Sequence, residues 1–496
     1  MLRVKRTILV LIVLLASFFV RGFAFFQYSY PTGADYGHHT YFADQYLNEG
    51  RFPARFPFYQ LGRPRWSNLP GGALTYSLVS AVSGATAFEL ASLTSIFAII
   101  EVAGVYLLGL RVFRRFDAAF VAALVAGLVP SAATMVAWSA YANIIALALM
   151  PYAFLALLDY WESPTASRLA LAAVTICGAA SIHHLSTMWM GLTLVLFSFV
   201  LTIVRPLEAL RRLLPLAIVG VAVGLPILVR IEELRDLFAS AQLETAADHF
   251  VEARVRWSNW AQLTSVASLM FLSGGILSLL RRREVNLPHR VLVASYLLVS
   301  LVLAFGWWFG FEWYYIRALY FLSIPIALGA ASLLFLWPRN LLQLLVAACL
   351  AVSLGVGTFF QAESTARYYE VLSPGVMEGV EWLRDFSGPN DVVVAGAFLG
   401  FHLPRLLERP IIVGLPPDFV GNPDDTLPAK DAFKILTGED GMEEALARQN
   451  VKFVILRARG DDLPDPYHAR AVIAAHRHFL LMFQNEDVVI FGARPR

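Results

Sequence analysis

The chain has 496 residues, of which 58% are hydrophobic and 15% charged, with a formal net charge of +2. A soluble protein devotes about 25% of its residues to charge, and the mean hydropathy here is +0.61, so disordered, fibrous and ordinary cytosolic classes are excluded and a polytopic membrane protein remains. The near-neutral balance gives no bias toward nucleic acid, and Cys177 and Cys349 both lie in apolar runs, which excludes a zinc site or a secreted disulfide framework.

A helix needs roughly 20 apolar residues to cross a ~30 Å hydrocarbon core, and about eleven runs meet that need. They lie near 7–26, 86–110, 117–136, 141–160, 168–183, 187–204, 213–230, 260–280, 289–309, 315–337 and 341–360. The first has a basic start (Arg3, Lys5, Arg6) but ends in Phe-Phe-Gln-Tyr-Ser-Tyr, without a small-residue cleavage pattern, and reads as an uncleaved signal anchor. Arginine clusters at 111–115, 168, 205–212, 281–283 and 339 then fall on the same side as the N-terminus. The positive-inside rule makes that side cytoplasmic. Two long loops, 27–85 and 231–259, face outward, and long loops in compact proteins are more often functional than accidental. The expected setting is the plasma (inner) membrane, with the N-terminus inside and the C-terminus outside.

From about residue 361 charges, Pro and Gly become frequent and apolar runs shorten to strand length. Ser373-Pro374 reads as an N-cap followed by Pro at the first helical position of a helix to about Phe386. Strands are expected at 391–395, 411–414, 451–456, 479–483 and 488–491, with helices near 398–408, 441–449 and 467–477. The chain thus divides into a transmembrane part, 1–360, and an extracytoplasmic α/β domain, 361–496. Gly396-Ala-Phe-Leu-Gly400 is not a dinucleotide fingerprint, and no nucleotide is assigned.

The first outer loop carries the most chemistry: Asp35-Tyr-Gly-His38-His39, then Asp44. Asp35, just beyond the first helix, either takes a proton in a partly dry setting or N-caps a helix running from Tyr36 to about Glu49; both readings stand. His38 and His39 would share its face on a helix. His183 and His184 reach the same side of the membrane, as does Asp248 in the second loop. No fixed ligand spacing links these residues, so no cofactor is expected, and histidines lining a wet cavity are preferred to a divalent metal site. Trp307 to Tyr315, including Tyr314, reads as an interfacial aromatic belt. Arg317 sits at the outer leaflet, away from the basic side, where a guanidinium suits phosphate better than snorkelling explains it. Glu101, mid-helix, reads as a buried hydrogen-bond partner with no evident basic residue at its depth.

This layout resembles the GT-C superfamily of integral-membrane glycosyltransferases. The shared features are a first helix followed at once by a long outer loop with an acidic residue, a second long loop after helix seven, a late arginine with Pro325 a few residues on, and a C-terminal outer domain. The Asp35-Tyr-Gly-His-His segment, Gly50-Arg-Phe-Pro and the Pro-Gly-Gly stretch at Pro70 resemble a bacterial and archaeal branch labelled as membrane proteins related to 6-pyruvoyl-tetrahydropterin synthase. The resemblance implies a polytopic α-helical fold, a polyprenyl-phosphate-linked sugar as donor and a glycan, lipid or protein acceptor. It implies that Asp35 serves as base and that Arg317 contacts the lipid phosphate. The Asp-Glu pair of protein mannosyltransferases and the Trp-Trp-Asp motif of oligosaccharyltransferases are missing, so protein N-glycosylation is not expected. A transporter or lipid flippase with an outer ligand-binding domain is the rival, but inverted repeats and broken midplane helices are not evident. A scaffold that kept the fold and lost activity is a third reading.

Overall fold

The computed structural model describes residues 2–33, 36–50, 57–62, 71–86, 89–90, 94–240, 257–264, 267–281, 284–305, 319–333, 341–414, 423–458 and 479–494. Its membrane part opens with α1 (Leu2–Gln27), and two helices of the first long loop follow, α2 (Tyr36–Glu49) and α3 (Gly71–Ser83). Then come α4 (Thr94–Phe113), α5 (Phe116–Leu128), α6 (Pro130–Ala137), α7 (Tyr141–Glu162), α8 (Ala166–Ile182), α9 (His184–Val204) and α10 (Pro206–Ser240). The bundle continues through α11 (Trp257–Thr264), α12 (Ala267–Arg281), α13 (Leu287–Ala304), α14 (Ser323–Leu333) and α15 (Leu341–Tyr368). Every apolar run read from the sequence carries a helix. Among the described residues six helices are long and apolar enough to cross a membrane, and the protein is a multi-pass membrane protein.

Burial sorts these helices by what solvates them. α5, α6 and α7 are almost wholly enclosed, whereas α9 and α10 keep Val195, Phe199, Leu207 and Ile218 exposed. In water that surface would be costly; in lipid it is the expected outer face. Inside, α12 and α14 approach through glycine: a Cβ on Gly275 would stand 2.5 Å from the Gly329 backbone, and one on Gly329 2.4 Å from Phe271 O. Small residues allow such contact between helices that hydrophobicity alone does not drive together in lipid.

The run expected at 117–136 is interrupted. Val129 is extended (φ −71°, ψ 128°) and Pro130 opens α6. A residue before proline is pushed out of the α region, so the helix stops and restarts. Likewise α8 and α9 meet at a single extended residue, His183.

The C-terminal part begins with α16 (Pro374–Phe386), where Ser373 Oγ accepts the Val376 N–H at 3.2 Å, the cap the sequence specifies. Its strands are β1 (Val392–Gly396), β2 (Ile411–Gly414), β3 (Val451–Arg457), β4 (Phe479–Gln484) and β5 (Val488–Ala493), in the order β2-β1-β3-β5-β4. β1 pairs parallel with β2 and β3, and β5 pairs antiparallel with β3 and β4. The expected helix at 398–408 is instead two short turns, α17 (Ala397–Gly400) and α18 (Leu403–Leu407). α19 (Pro423–Thr437), unforeseen, and α20 (Met442–Gln449) complete it; the helix expected near 467–477 lies outside the described residues.

The loop between α1 and α4 is bound to the edge of this sheet. Ile411 N–H donates to Phe58 O at 2.7 Å, and the Gln60 amide meets both Val413 N and O at 3.2 Å. One buried apolar cluster runs from the bundle through α2 into β1 and β2.

Candidate functional site

Asp35, Asp248, Tyr314 and Arg317 lie outside the described residues. What the structure describes is the frame that holds the chain on either side of Asp35 and just beyond Arg317. Thr32 Oγ1 donates to Ala137 O at 2.8 Å. Gly33 N–H donates to Tyr369 O at 2.7 Å, and His402 Nε2 lies 3.1 Å from Gly33 O. Gly33 has φ +112°, and a Cβ there would stand 1.9 Å from Ser139 Oγ, so only glycine fits. Tyr36 N–H, at the start of α2, donates to Ser139 Oγ at 3.2 Å.

Ser139 lies in the turn between α6 and α7, itself with φ +64°. The same turn receives the segment after Arg317: Trp138 packs on Tyr320 with ring centroids 5.9 Å apart. Phe321 is fixed beyond it, stacked on Trp189 at 4.5 Å, and its carbonyl accepts from Tyr296 OH at 3.4 Å. The two stretches that flank the expected base and the expected phosphate ligand therefore converge on residues 137–141.

An aromatic wall stands beside this turn. Tyr36, fully buried, packs on His402 at 4.4 Å and on Tyr141 at 6.2 Å. Tyr141 lies 5.7 Å from Tyr76, whose hydroxyl meets Thr94 Oγ1 at 2.8 Å. Burial raises the Tyr36 and Tyr76 hydroxyls above the ordinary tyrosine range, so both stay protonated.

The histidines divide their work. His38 is enclosed by Phe42 at 4.0 Å, Tyr59 at 5.2 Å and Phe401 at 5.5 Å, with the Phe401 ring parallel to its own. Burial lowers its pKa to about 3, so it is a neutral packing ring and not a charged cavity group. His39, half-buried, lies 6.5 Å from it. His183 caps α9: its Nδ1 accepts the Leu185 N–H at 3.3 Å, and His184 is the first residue of that helix. Asp44 pairs with Arg405 Nε at 2.5 Å, and both line a hollow of about 370 Å³ together with Tyr41, Gln45, Asn48 and Arg384. Among the described residues no group of three or more His, Cys, Asp or Glu is placed to hold a metal ion.

Glu101 corrects the sequence expectation. Its partner is Arg21 of α1: Nη1 lies 2.9 Å from Glu101 Oε2, and both side chains are buried. Arg21 Nη1 also donates to Ala98 O at 3.1 Å and Nε to Gly127 O at 3.3 Å, while Nη2 donates to Ala126 O. Ser323 Oγ donates to the other Glu101 oxygen at 2.8 Å. Such complete coordination is what a charge pair needs at membrane depth. Arg21 was the legible signal, a guanidinium inside the first apolar run. His402, Arg405 and Ser139 gave no such signal, because each acquires its role from a segment over 100 residues away in sequence.

No protein-family model matches the sequence, and no curated protein matches it. Solved structures do. AglB, the archaeal oligosaccharyltransferase from Archaeoglobus fulgidus, in complex with an inhibitory peptide and a dolichol-phosphate, aligns with a TM-score of 0.61 at 16% identity over 92% of this chain and 69% of that one. ArnT from Cupriavidus metallidurans, bound to undecaprenyl phosphate, aligns with a TM-score of 0.59 at 12% identity over 99% of both chains. The mycobacterial arabinofuranosyltransferase AftD aligns with a TM-score of 0.59 at 16% identity over 100% of this chain and 40% of that one. At such identities the likeness is one of fold, and this chain shares the fold of these three membrane proteins.

Proposed function

We propose that the protein is an integral-membrane glycosyltransferase that moves a sugar from a polyprenyl-phosphate donor to an acceptor hydroxyl at the outer face of the membrane. The observation that carries this reading is the end-to-end likeness to ArnT, whose structure holds undecaprenyl phosphate. The convergence of the stretches flanking Asp35 and Arg317 on the 137–141 turn supports it.

In the proposed reaction the Asp35 carboxylate accepts the proton of the acceptor hydroxyl, whose oxygen attacks the anomeric carbon. The bond from that carbon to the phosphate oxygen breaks, and its electron pair leaves with the lipid phosphate. Phosphate is already a good leaving group, so the protein need not protonate it as a glycosidase protonates its leaving oxygen. Arg317 meets the charge that grows there, and no metal ion enters the step. Direct displacement inverts the anomeric centre, for a hexose or a pentose alike. The donor enters sideways from the outer leaflet and the acceptor from the aqueous side, so the C-terminal domain is placed outside and the N-terminus in the cytoplasm.

The test is to incubate the purified protein with a panel of polyprenyl-phosphate monosaccharides, with candidate glycan, lipid and peptide acceptors, and to measure release of lipid phosphate. Acceptor-dependent release with at least one donor is expected. A transporter or flippase would bind or move the lipid with its sugar intact, and that outcome would displace the proposal.

A further inference from the structure

Three helix ends meet at the arginine-rich end of the bundle: the last turn of α7 and the first turns of α10 and α13. Along α7 this is about 30 Å from Tyr141 and the turn described above. Between the helix ends lies a cavity of about 270 Å³, lined among others by Trp161, Glu162, Arg205, Arg212, Asn286 and His289.

Its carboxylates are already engaged. Glu162 accepts from Arg111 Nη2 at 2.7 Å and from Asn286 Nδ2 at 3.3 Å, and lies 3.3 Å from His289 Nε2. Glu208 pairs with Arg205 at 3.0 Å. The donors are not all engaged. The Arg212 guanidinium has no hydrogen-bond or ion-pair partner among the described residues; only its carbonyl is used, by Tyr160 OH at 3.0 Å. Trp161 is 2% exposed, yet its indole N–H has no acceptor among the described residues. Asn286 opens α13 without its side chain capping a backbone N–H. A buried indole N–H in want of an acceptor is costly, the half-buried Arg212 guanidinium beside it is a further donor, and an anion here would serve both.

Size and depth narrow the anion. The cavity is smaller than the clefts of about 300–1,000 Å³ that hold drug-sized ligands, but it accommodates a phosphate group. It stands at the start of the membrane span Pro206–Pro226, where headgroups lie. Beside it Ile203, Leu207 and Leu210 are exposed, an apolar track for acyl chains. Arg is suited to phosphate by its planar fork, and basic pockets between transmembrane helices recognise acidic headgroups. We propose that this cavity binds the phosphate of an anionic phospholipid headgroup from the arginine-rich leaflet. The site is separate from the transfer reaction and does not depend on it.

The experiment uses the full-length protein in neutral detergent, with phosphatidylglycerol, phosphatidylcholine or inorganic phosphate added. Bound lipid is counted by native mass spectrometry, and the melting temperature is recorded. Phosphatidylglycerol is expected to remain bound and raise the melting temperature, phosphatidylcholine to do so less, and inorganic phosphate at the same concentration not at all. Arg212→Gln should weaken phosphatidylglycerol binding about tenfold or more, the scale of one charge-assisted contact. Trp161→Phe, which keeps the ring and removes the N–H, should weaken it less, and Arg211→Gln on the exposed neighbouring position should leave it unchanged. Undiminished lipid binding by Arg212→Gln would overturn the site. An effect of inorganic phosphate equal to that of the lipid would overturn the lipid assignment.

Discussion

A base that takes a proton from an acceptor hydroxyl must be held in place before the acceptor arrives, and the backbone on either side of Asp35 is held by Gly33 and Tyr36. Asp35→Asn separates the two roles open to that residue. Asparagine caps a helix about as well as aspartate but cannot take a proton, so the variant should melt like the native protein and lose about 10²–10⁴-fold in transfer rate. Full activity would leave Asp35 as a cap alone. Arg317→Ala should impair use of the lipid donor far more than binding of the acceptor, read from the two KM values; equal losses on both sides would make the arginine structural. The Arg21–Glu101 pair belongs to stability first. Arg21→Leu strands a buried carboxylate and should cost about 3–5 kcal/mol, while the double change Arg21→Leu with Glu101→Leu should cost less, as denaturation in detergent would report. Since Glu101 also holds Ser323, six residues past Arg317, the single variant should weaken donor use as well.

Among elements, the seam between α2 and the turns α17 and α18 is the one built to respond to acid. Burial lowers both His38 and His402 from an ordinary 6.5 to about 3. Above pH 6.5 both are neutral, whether the seam is closed or open, and the packing is at full strength. Between pH 6.5 and 3 the opened chain takes up protons that the closed seam refuses. Closure therefore weakens as pH falls, by up to about 1.4 kcal/mol per pH unit for each histidine. Hydrogen exchange in residues 36–49 and 401–407, corrected for intrinsic rates, should be faster at pH 5.5 than at pH 7.5. His38→Phe, which keeps a ring among Phe42, Tyr59 and Phe401, should flatten part of that slope. Loss of the whole slope in this one variant would remove His402 from the account. The elements themselves were largely legible: α2 occupies Tyr36–Glu49 as expected, and Ser373 caps α16. The break at Pro130 was also written in the chain, because proline restricts the residue before it.

For the whole molecule, the positive-inside pattern and about eleven apolar runs in the sequence predict termini on opposite sides of the membrane. A phosphatase fused after Arg496 should be active outside the cytoplasm, and a green fluorescent protein fused there should stay dark. The reverse result would invert the protein and move the proposed chemistry to the other leaflet. The helical bundle is joined to the C-terminal sheet, and the loop between α1 and α4 seals the two together through Gln60, Asp44 and Gly33.

Composition, hydropathy and local signals determined that this chain crosses a membrane repeatedly, where most of its helices and strands run, and which loop carries the reactive residue types. These follow from forces that act within a span or a turn: burial of roughly 20 apolar residues in lipid, or one capping bond. Only the tertiary structure decided that Arg21 faces Glu101, that His402 and Ser139 pin the chain beside Asp35, and that Trp138 meets Tyr320. Each is a contact between segments from 80 to over 300 residues apart, and such a pairing has no period or spacing in the sequence until packing brings the two sides together.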